Sequence, residues 1–172
     1  MRFLAALAMT LLAAAATAQA PATPSSPLKP CTAPEHRQFD FWVGDWVVRN
    51  PAGKEAGRNR IEKSNDGCVL HERWTSSTSP YRGESLNVYD APREVWHQTW
   101  VDNGGLLLTL EGGLRDGAMV LEGERPAKGG GREHHRIRWT PGADGTLRQQ
   151  WEVSGDDRRT WKTLFDGRYA RP

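Results

Sequence analysis

Tryptophan and polar side chains at alternating positions are the residues of this chain best suited to do chemistry. The chain has 172 residues and eight tryptophans, and indole rings stack well on flat apolar or sugar rings. Glutamate, glutamine and histidine side chains occur in phase with several of these tryptophans and could orient a bound molecule by hydrogen bonds. The residues that we expect to contact a ligand are Glu72, Trp74, Trp96, Gln98, Trp100, His135, Trp139, Gln149 and Trp151.

The same residues also have a purely structural interpretation. Tryptophans that alternate along strands can form a packed core that leaves no room for a guest. Buried polar groups can likewise satisfy one another in a hydrogen-bond network that binds nothing. At the level of the sequence both interpretations stay open.

An acid–base pair is the catalytic arrangement that these residues would allow. Glu72 and His135 could serve as acid and base if both face one cavity. The sequence contains no nucleophile elbow, phosphate-binding loop or dinucleotide fingerprint. His134 and His135 are adjacent, so on a strand they point to opposite faces and cannot both bind one metal ion. We therefore predict a non-enzymatic protein without a metal or cofactor, and a small enzyme is the alternative.

Regularly spaced turn residues indicate the strands on which these side chains lie. From Asp45 onward, turn-forming residues recur about every 12 to 15 residues and divide the chain into ten short strands. The intervals are too short for crossover helices, so successive strands should pair antiparallel, and closing the sheet removes two exposed edges. We predict an all-β fold, a single closed antiparallel up-and-down β-barrel of about ten strands. The nine turn segments are 51–53, 65–67, 79–80, 90–92, 102–105, 116–117, 129–131, 144–145 and 155–157.

Alternation along the strands predicts which side chains face the barrel interior. For residues 95–101 either alternating set could face inward, and we choose the set that contains the tryptophans. For residues 68–75 we choose the set that contains Glu72, which places a carboxylate inside the barrel. The predicted interior residues are Cys68, Leu70, Glu72, Trp74, Trp96, Gln98, Trp100, His135, Ile137, Trp139, Leu147, Gln149, Trp151, Val153, Trp161, Thr163 and Phe165.

A short helix is predicted before the first strand. Residues 32–35 have the T-x-x-E spacing of a capping box, and proline is tolerated in the first helical turn. Gly44 should end the helix. The side chains at His36, Phe39, Trp42 and Val43 then lie on one face. Such a segment could cover one end of the barrel.

The N-terminal residues carry the signals of an exported protein. A basic residue, an apolar run and small residues suited to signal-peptidase cleavage follow one another. We predict a signal peptide over residues 1–18, with cleavage after Ala18 because Pro21 would follow the competing site. Residues 19–31 form a proline-rich tether, and residues 32–172 form the barrel domain. The mature protein should be periplasmic or secreted and not inserted in a membrane, and an uncleaved membrane anchor is the alternative.

The cysteine count indicates which compartment the protein occupies, and the net charge indicates which partners it can bind. Cys31 and Cys68 are the two cysteines, and in an oxidising compartment a single pair is expected to form a disulfide. Two free buried thiols are the alternative. The formal net charge of +2 provides no basic field for sequence-independent binding of nucleic acid. We therefore predict no nucleic-acid partner.

An ordered series of aromatic motifs resembles a known family. The segments are FDFWVGDW at 39–46, GCVLHERW at 67–74, WHQTWVD at 96–102 and FDGRY at 165–169. In this order they resemble the DUF1579 family of exported bacterial proteins, and the Gly-x-Trp at 44–46 is similar to the motif that opens a lipocalin barrel. The resemblance implies a calycin-like barrel but no activity, because the family is one of uncharacterised function. Haem-binding relatives use a histidine near the C-terminus, and this chain has none after His135.

The sequence therefore predicts an exported barrel that binds a small apolar or aromatic molecule. A small enzyme with an acid–base pair in the cavity is one alternative. A module that binds glycans or the cell envelope through exposed tryptophans is the other. A cavity lined by tryptophan would favour the first hypothesis, a paired Glu and His the second, and outward-facing coplanar tryptophans the third.

Overall fold

The structure is a computed structural model that describes residues 31–172. The predicted signal peptide at 1–18 and all but the last residue of the predicted tether lie outside the described residues. Within the described part of the chain, no helix is long and apolar enough to cross a membrane.

Ten strands follow one another in the described residues, and each connection falls at one of the nine predicted turns. Short 3₁₀ turns at Asn65–Gly67 and Ala91–Arg93 form two of these connections. The prediction of ten strands is thereby confirmed. The strands are β1 (Gly44–Arg49), β2 (Glu55–Ser64), β3 (Val69–Ser76), β4 (Arg82–Asp90), β5 (Val95–Asp102), β6 (Leu107–Arg115), β7 (Ala118–Pro126), β8 (Arg132–Pro141), β9 (Leu147–Ser154) and β10 (Lys162–Ala170).

The sheet closes on itself into a barrel. Every strand pairs antiparallel with its neighbours in the chain, and β1 pairs with β10 to complete the circle. In the closing pair Val47 lies opposite Ala170 and Arg49 lies opposite Arg168. Closure leaves none of these ten strands with an unpaired edge, so the predicted up-and-down topology is confirmed.

The N-terminal cap is built from two 3₁₀ turns, Pro34–Arg37 and Asp40–Trp42. A short capping helix is therefore present, but the predicted capping box is not formed. The residue that precedes the first turn is Ala33, and no side chain among residues 31–172 caps the turn. Thr32 lies one position too early for its hydroxyl to reach the first free backbone N–H groups.

The cap packs aromatic rings into one end of the barrel, called the closed end below. Phe39 stacks on Trp42 with ring centroids 4.8 Å apart, and it forms T-shaped pairs with Trp139 and Trp96, with centroids 5.1 Å and 5.7 Å apart. All four side chains are buried. Burial of rings of this size supplies much of the apolar surface removed from water at this end of the molecule.

A disulfide anchors the cap to the barrel. Cys31 is bonded to Cys68, with the two Cα atoms 5.2 Å apart, so the predicted pairing is confirmed. The bond joins the residue just before the cap to the turn between β2 and β3. Arg37 reinforces this attachment because its Nη2 donates a hydrogen bond of 2.7 Å to the backbone oxygen of Cys31. A disulfide is compatible with an oxidising, exported location.

The alternation predicted for β3, β5, β8 and β9 is confirmed, but the prediction for the last strand is partly wrong. Phe165 faces inward opposite Trp151. Thr163 pairs with Glu152 on the outer side and is exposed. A β-bulge between residues 163 and 165 reverses the alternation, as an extra residue in one strand must. Trp161 precedes β10 and lies under the guanidinium of Arg136, 4.1 Å from its ring centroid.

Candidate functional site

A cavity of about 420 Å³ occupies the barrel interior on the side away from the cap. Its mouth lies among residues of the β1–β2 and β3–β4 turns, including Asn50 and Thr78. This end of the barrel is called the open end. The volume falls within the range of about 300 to 1,000 Å³ that is typical of small-molecule sites.

Six of the nine predicted ligand-contacting residues line this cavity, and three do not. Those in the lining are Glu72, Trp74, Gln98, Trp100, Gln149 and Trp151. Trp96 and Trp139 lie at the closed end against Phe39. His135 lies beside Trp151 but is absent from the lining. Alternation reports the side of the sheet that a residue faces, but not its depth along the barrel axis, so it could not separate these groups.

Several residues of the site were missed by the sequence interpretation. Tyr81 and Tyr169 line the cavity, and Asn59, Ser85 and Asn87 are buried beside it. On β4 the usual polarity is reversed, because Ser85 and Asn87 point inward while the intervening Leu86 is 53% exposed. An alternation rule that places apolar side chains inside assigns such a strand to the wrong face.

Trp74, Trp100 and Trp151 form the aromatic wall of the cavity. Asp102 holds one of these rings, that of Trp100, in place. Trp100 Nε1 donates a hydrogen bond of 3.1 Å to Asp102 Oδ2, and the hydroxyl of Tyr81 donates one of 2.7 Å to the same atom. Burial alone would raise the pKa of Asp102, but hydrogen bonds from Tyr81, Trp100 and two backbone N–H groups outweigh it and lower that pKa. Asp102 is therefore a carboxylate that orients two aromatic rings at the open end.

Trp151 is held in a similar way by His135. Trp151 Nε1 donates a hydrogen bond of 3.1 Å to His135 Nδ1, so Nδ1 carries no proton. Burial lowers the pKa of His135, which favours the neutral ring with its proton on Nε2. That nitrogen lies 3.5 Å from Glu133 Oε2. His135 thus acts on the cavity by positioning an indole.

Inward-facing glycines leave space for the wall. A Cβ atom added at Gly83 would lie 2.3 Å from Trp100 Cζ2 and 2.8 Å from the backbone oxygen of Val101. A Cβ atom at Gly57 would lie 2.7 Å from Trp74 Cη2. The indoles therefore lie directly over backbone that has no side chain, an arrangement that only glycine permits.

Replacing Gly83 with alanine should therefore displace the Trp100 ring. The added methyl group overlaps both the indole and a backbone oxygen, so we expect a loss of about 1 to 2 kcal/mol in the free energy of unfolding. Gly113→Ala is the matched control, because Gly113 also lies in a strand but has nothing within 4 Å of its added Cβ atom. Its effect should stay within about 0.5 kcal/mol. Urea unfolding of both variants checks this, and equal effects would contradict the close approach of Trp100.

The polar floor of the cavity, defined by Glu72, Gln98, Gln149 and Tyr169, is centred on Glu72. Asn59 Nδ2 donates a hydrogen bond of 2.7 Å to Glu72 Oε1, and Ser85 Oγ donates one of 2.5 Å to Glu72 Oε2. Burial raises the pKa of Glu72 to about 7, while these two hydrogen bonds oppose the rise. Glu72 therefore exchanges a proton near neutral pH.

The other members of the polar floor are linked to Glu72 through hydrogen bonds. Gln98 Nε2 donates to Asn87 Oδ1 at 2.8 Å, and Asn87 Nδ2 donates to Ser85 Oγ at 2.9 Å. On the other side Asn59 donates to the hydroxyl of Tyr169. That hydroxyl donates to Gln149 Oε1. A buried hydrogen-bond network, one of the two interpretations left open by the sequence, is thus present around Glu72, Gln98 and Gln149, and it lies beside an open cavity.

Comparison with known proteins assigns no family. No family model matches the sequence, and no curated protein matches it. Membership of the DUF1579 family therefore stays a prediction.

The geometry does not favour the two alternative functions. Glu72 lines the cavity, whereas His135 is absent from the lining and its Nδ1 is occupied by Trp151, so they form no acid–base pair around one guest. Trp161 is the tryptophan outside the barrel, where Arg136 covers its ring. No second outward-facing indole among the described residues completes a flat glycan platform. In residues 31–172 no group of three or more His, Cys, Asp or Glu side chains could hold a metal ion.

Proposed function

We propose that the barrel is a non-enzymatic binding protein for a small apolar or aromatic molecule. The observation that carries the proposal is the open cavity of about 420 Å³ whose wall includes three indole rings. A filled core would have left no such space. Burial of apolar surface in a cavity of this kind supplies affinity, and a few polar groups orient the guest.

The rigidity of the wall also supports the proposal. Asp102 holds the indole of Trp100, and His135 holds that of Trp151, while Trp74 packs edge-on against Phe165 at 5.7 Å. Side chains that are already ordered lose little freedom when a ligand binds, so more of the contact energy appears as affinity.

We also propose that the protein is exported, and that it belongs to the DUF1579 family.

A fluorescence titration tests the proposal. A panel of aromatic and fatty compounds is added to the protein, and at least one member should quench or shift the tryptophan emission. Trp151→Leu should then weaken binding of that compound by about 1 to 3 kcal/mol, because stacking and burial are lost.

Trp161→Leu is the matched control, since Trp161 lies outside the barrel under Arg136. This variant should bind the same compound with unchanged affinity. If no compound in the panel changes the emission of the wild-type protein, the proposed function is wrong. Equal losses in the two variants would place binding outside the cavity.

A further inference from the structure

We propose that the cavity selects organic cations, namely amines with an aromatic or apolar body, and that Glu72 at the polar floor binds their ammonium group. This inference rests on the proposed function and names the chemical class of its ligand. The apolar body would lie against the aromatic wall.

The direction of the hydrogen bonds around Glu72 suits a carboxylate. Ser85 Oγ accepts hydrogen bonds from Asn87 Nδ2 at 2.9 Å and from Gln98 Nε2 at 3.4 Å. With both lone pairs engaged, its hydroxyl proton is directed to Glu72 Oε2. Asn59 Nδ2 donates to the other oxygen. Both groups that hydrogen-bond to Glu72 are therefore donors, an arrangement that suits an ionised carboxylate.

Glu72 nevertheless has no cationic partner among the described residues. The groups that act on it are Asn59 and Ser85, both neutral, and burial opposes its ionisation. An ionised carboxylate buried without a cation is costly, and a bound cation would remove most of that cost. The site thus supplies every component of a buried ion pair except the cation.

The remaining surface of the cavity suits a substituted ammonium group. Such a group has donors and no acceptor, and Glu72 retains unused lone pairs on each oxygen. Within residues 31–172 the amide oxygen Oε1 of Gln98 also has no hydrogen-bond donor. Indole faces attract cations through their quadrupole. An amine with an apolar body therefore finds acceptors at the floor and π-faces along the wall.

Among the ionisable groups that line the cavity, Glu72 is the one suited to bind a cation, because the others are neutral, basic or already paired. Tyr81 and Tyr169 have raised pKa values, chiefly because they are buried, so both stay neutral near pH 7. Lys54 and Glu55 lie at the mouth, next to the β1–β2 turn. Glu55 is already engaged by Ser77 and Arg58.

A pair of probes of nearly equal shape tests the inference. Phenethylamine and phenethyl alcohol differ in the charged group and share the aromatic body. At about pH 8, where Glu72 is largely ionised, the amine should bind at least about tenfold more tightly than the alcohol, because a charge-assisted hydrogen bond replaces a neutral one. Isothermal titration calorimetry measures both affinities.

Glu72→Gln should remove this preference and bring the two affinities to within about threefold. Glu84→Gln is the matched control, because it removes the same formal charge from the outer side of β4, where Glu84 contacts His71. The preference for the amine should survive in this variant. Tryptophan emission and the urea midpoint verify that both variants are folded.

Proton release gives a second readout that needs no variant. At about pH 6 most of the Glu72 side chains carry a proton, given a pKa of about 7, so binding of the amine should release about one proton. Near pH 8.5 the release should be close to zero. An aliphatic ammonium group keeps its charge across this range, as lysine does. Calorimetry in buffers of different ionisation enthalpy measures the number released.

The outcomes separate this inference from the proposed function. If the alcohol binds as tightly as the amine, or if no proton is released at about pH 6, the inference is overturned while the proposed function stands. If neither probe binds, the inference is also overturned. The proposed function fails as well only if the wider panel of apolar compounds leaves the tryptophan emission unchanged.

Discussion

Trp139→Leu is expected to lower the free energy of unfolding by about 3 kcal/mol. Trp139 is fully buried, with its ring 5.1 Å from Phe39 and 5.3 Å from Trp42. Leucine refills only part of the space, and the closed end offers no solvent to occupy the rest. The lost contacts and the new void both destabilise the folded state. The urea midpoint measures the loss.

Trp151→Leu is the matched comparison, because Trp151 lies on the neighbouring strand and also points inward. Its ring already borders the open cavity, so the substitution enlarges an existing space and creates no closed void. We expect a loss of only about 1 kcal/mol, which reflects the His135 hydrogen bond and partial burial. Equal losses of about 3 kcal/mol in both variants would mean that the interior is a continuous packed core.

Glu72→Gln is expected to remove a large part of the pH dependence of stability. The pKa of Glu72 is raised from 4.5 to about 7 in the folded protein, mainly by burial. Between these two values the folded state holds a proton that the unfolded state has lost, so stability falls as pH rises. A shift of this size corresponds to about 3 kcal/mol between pH 4.5 and pH 7. The glutamine variant does not titrate and lacks this decrease.

His135 contributes to the pH profile with the opposite sign. Its folded-state pKa is lowered by burial, so its contribution is present above its unfolded value and is lost as pH falls below about 6.5. Because His135 is present in both proteins, the difference between the wild-type and Glu72→Gln profiles isolates Glu72. Urea unfolding at intervals from about pH 4.5 to pH 8 provides the two curves. Parallel curves would show that the pKa of Glu72 is not raised in the folded protein.

The barrel could be predicted from the sequence because turns and alternation are local signals. Each of the nine turns contains Gly, Pro, Asn or Asp residues that suit tight reversals. The alternation of Gln149 and Trp151 with the charged or polar residues Arg148, Gln150 and Glu152 shows which face of β9 is buried. These two signals together specify the number and direction of the strands, and the facing of those with regular alternation. They therefore predict an up-and-down topology.

The extent of the cavity could not be predicted, because it depends on long-range packing. Trp139 and Trp151 have the same pattern in the sequence, yet the cap packs against the first and leaves the second beside an open space. The bulge before Phe165 also turns Thr163 toward the outside, although strict alternation would place it inside the barrel. The local sequence pattern does not indicate which inward-facing residues the cap contacts.

The tryptophan indole N–H signals in a nitrogen–proton correlation spectrum report directly on whether the cavity binds a ligand. Addition of a compound from the apolar and aromatic panel should shift the signals of Trp74, Trp100 and Trp151, which line the cavity. The signals of the closed-end tryptophans and of Trp161 should stay in place. If every compound leaves the three wall signals unchanged, or moves only the signal of Trp161, the cavity is not a binding site.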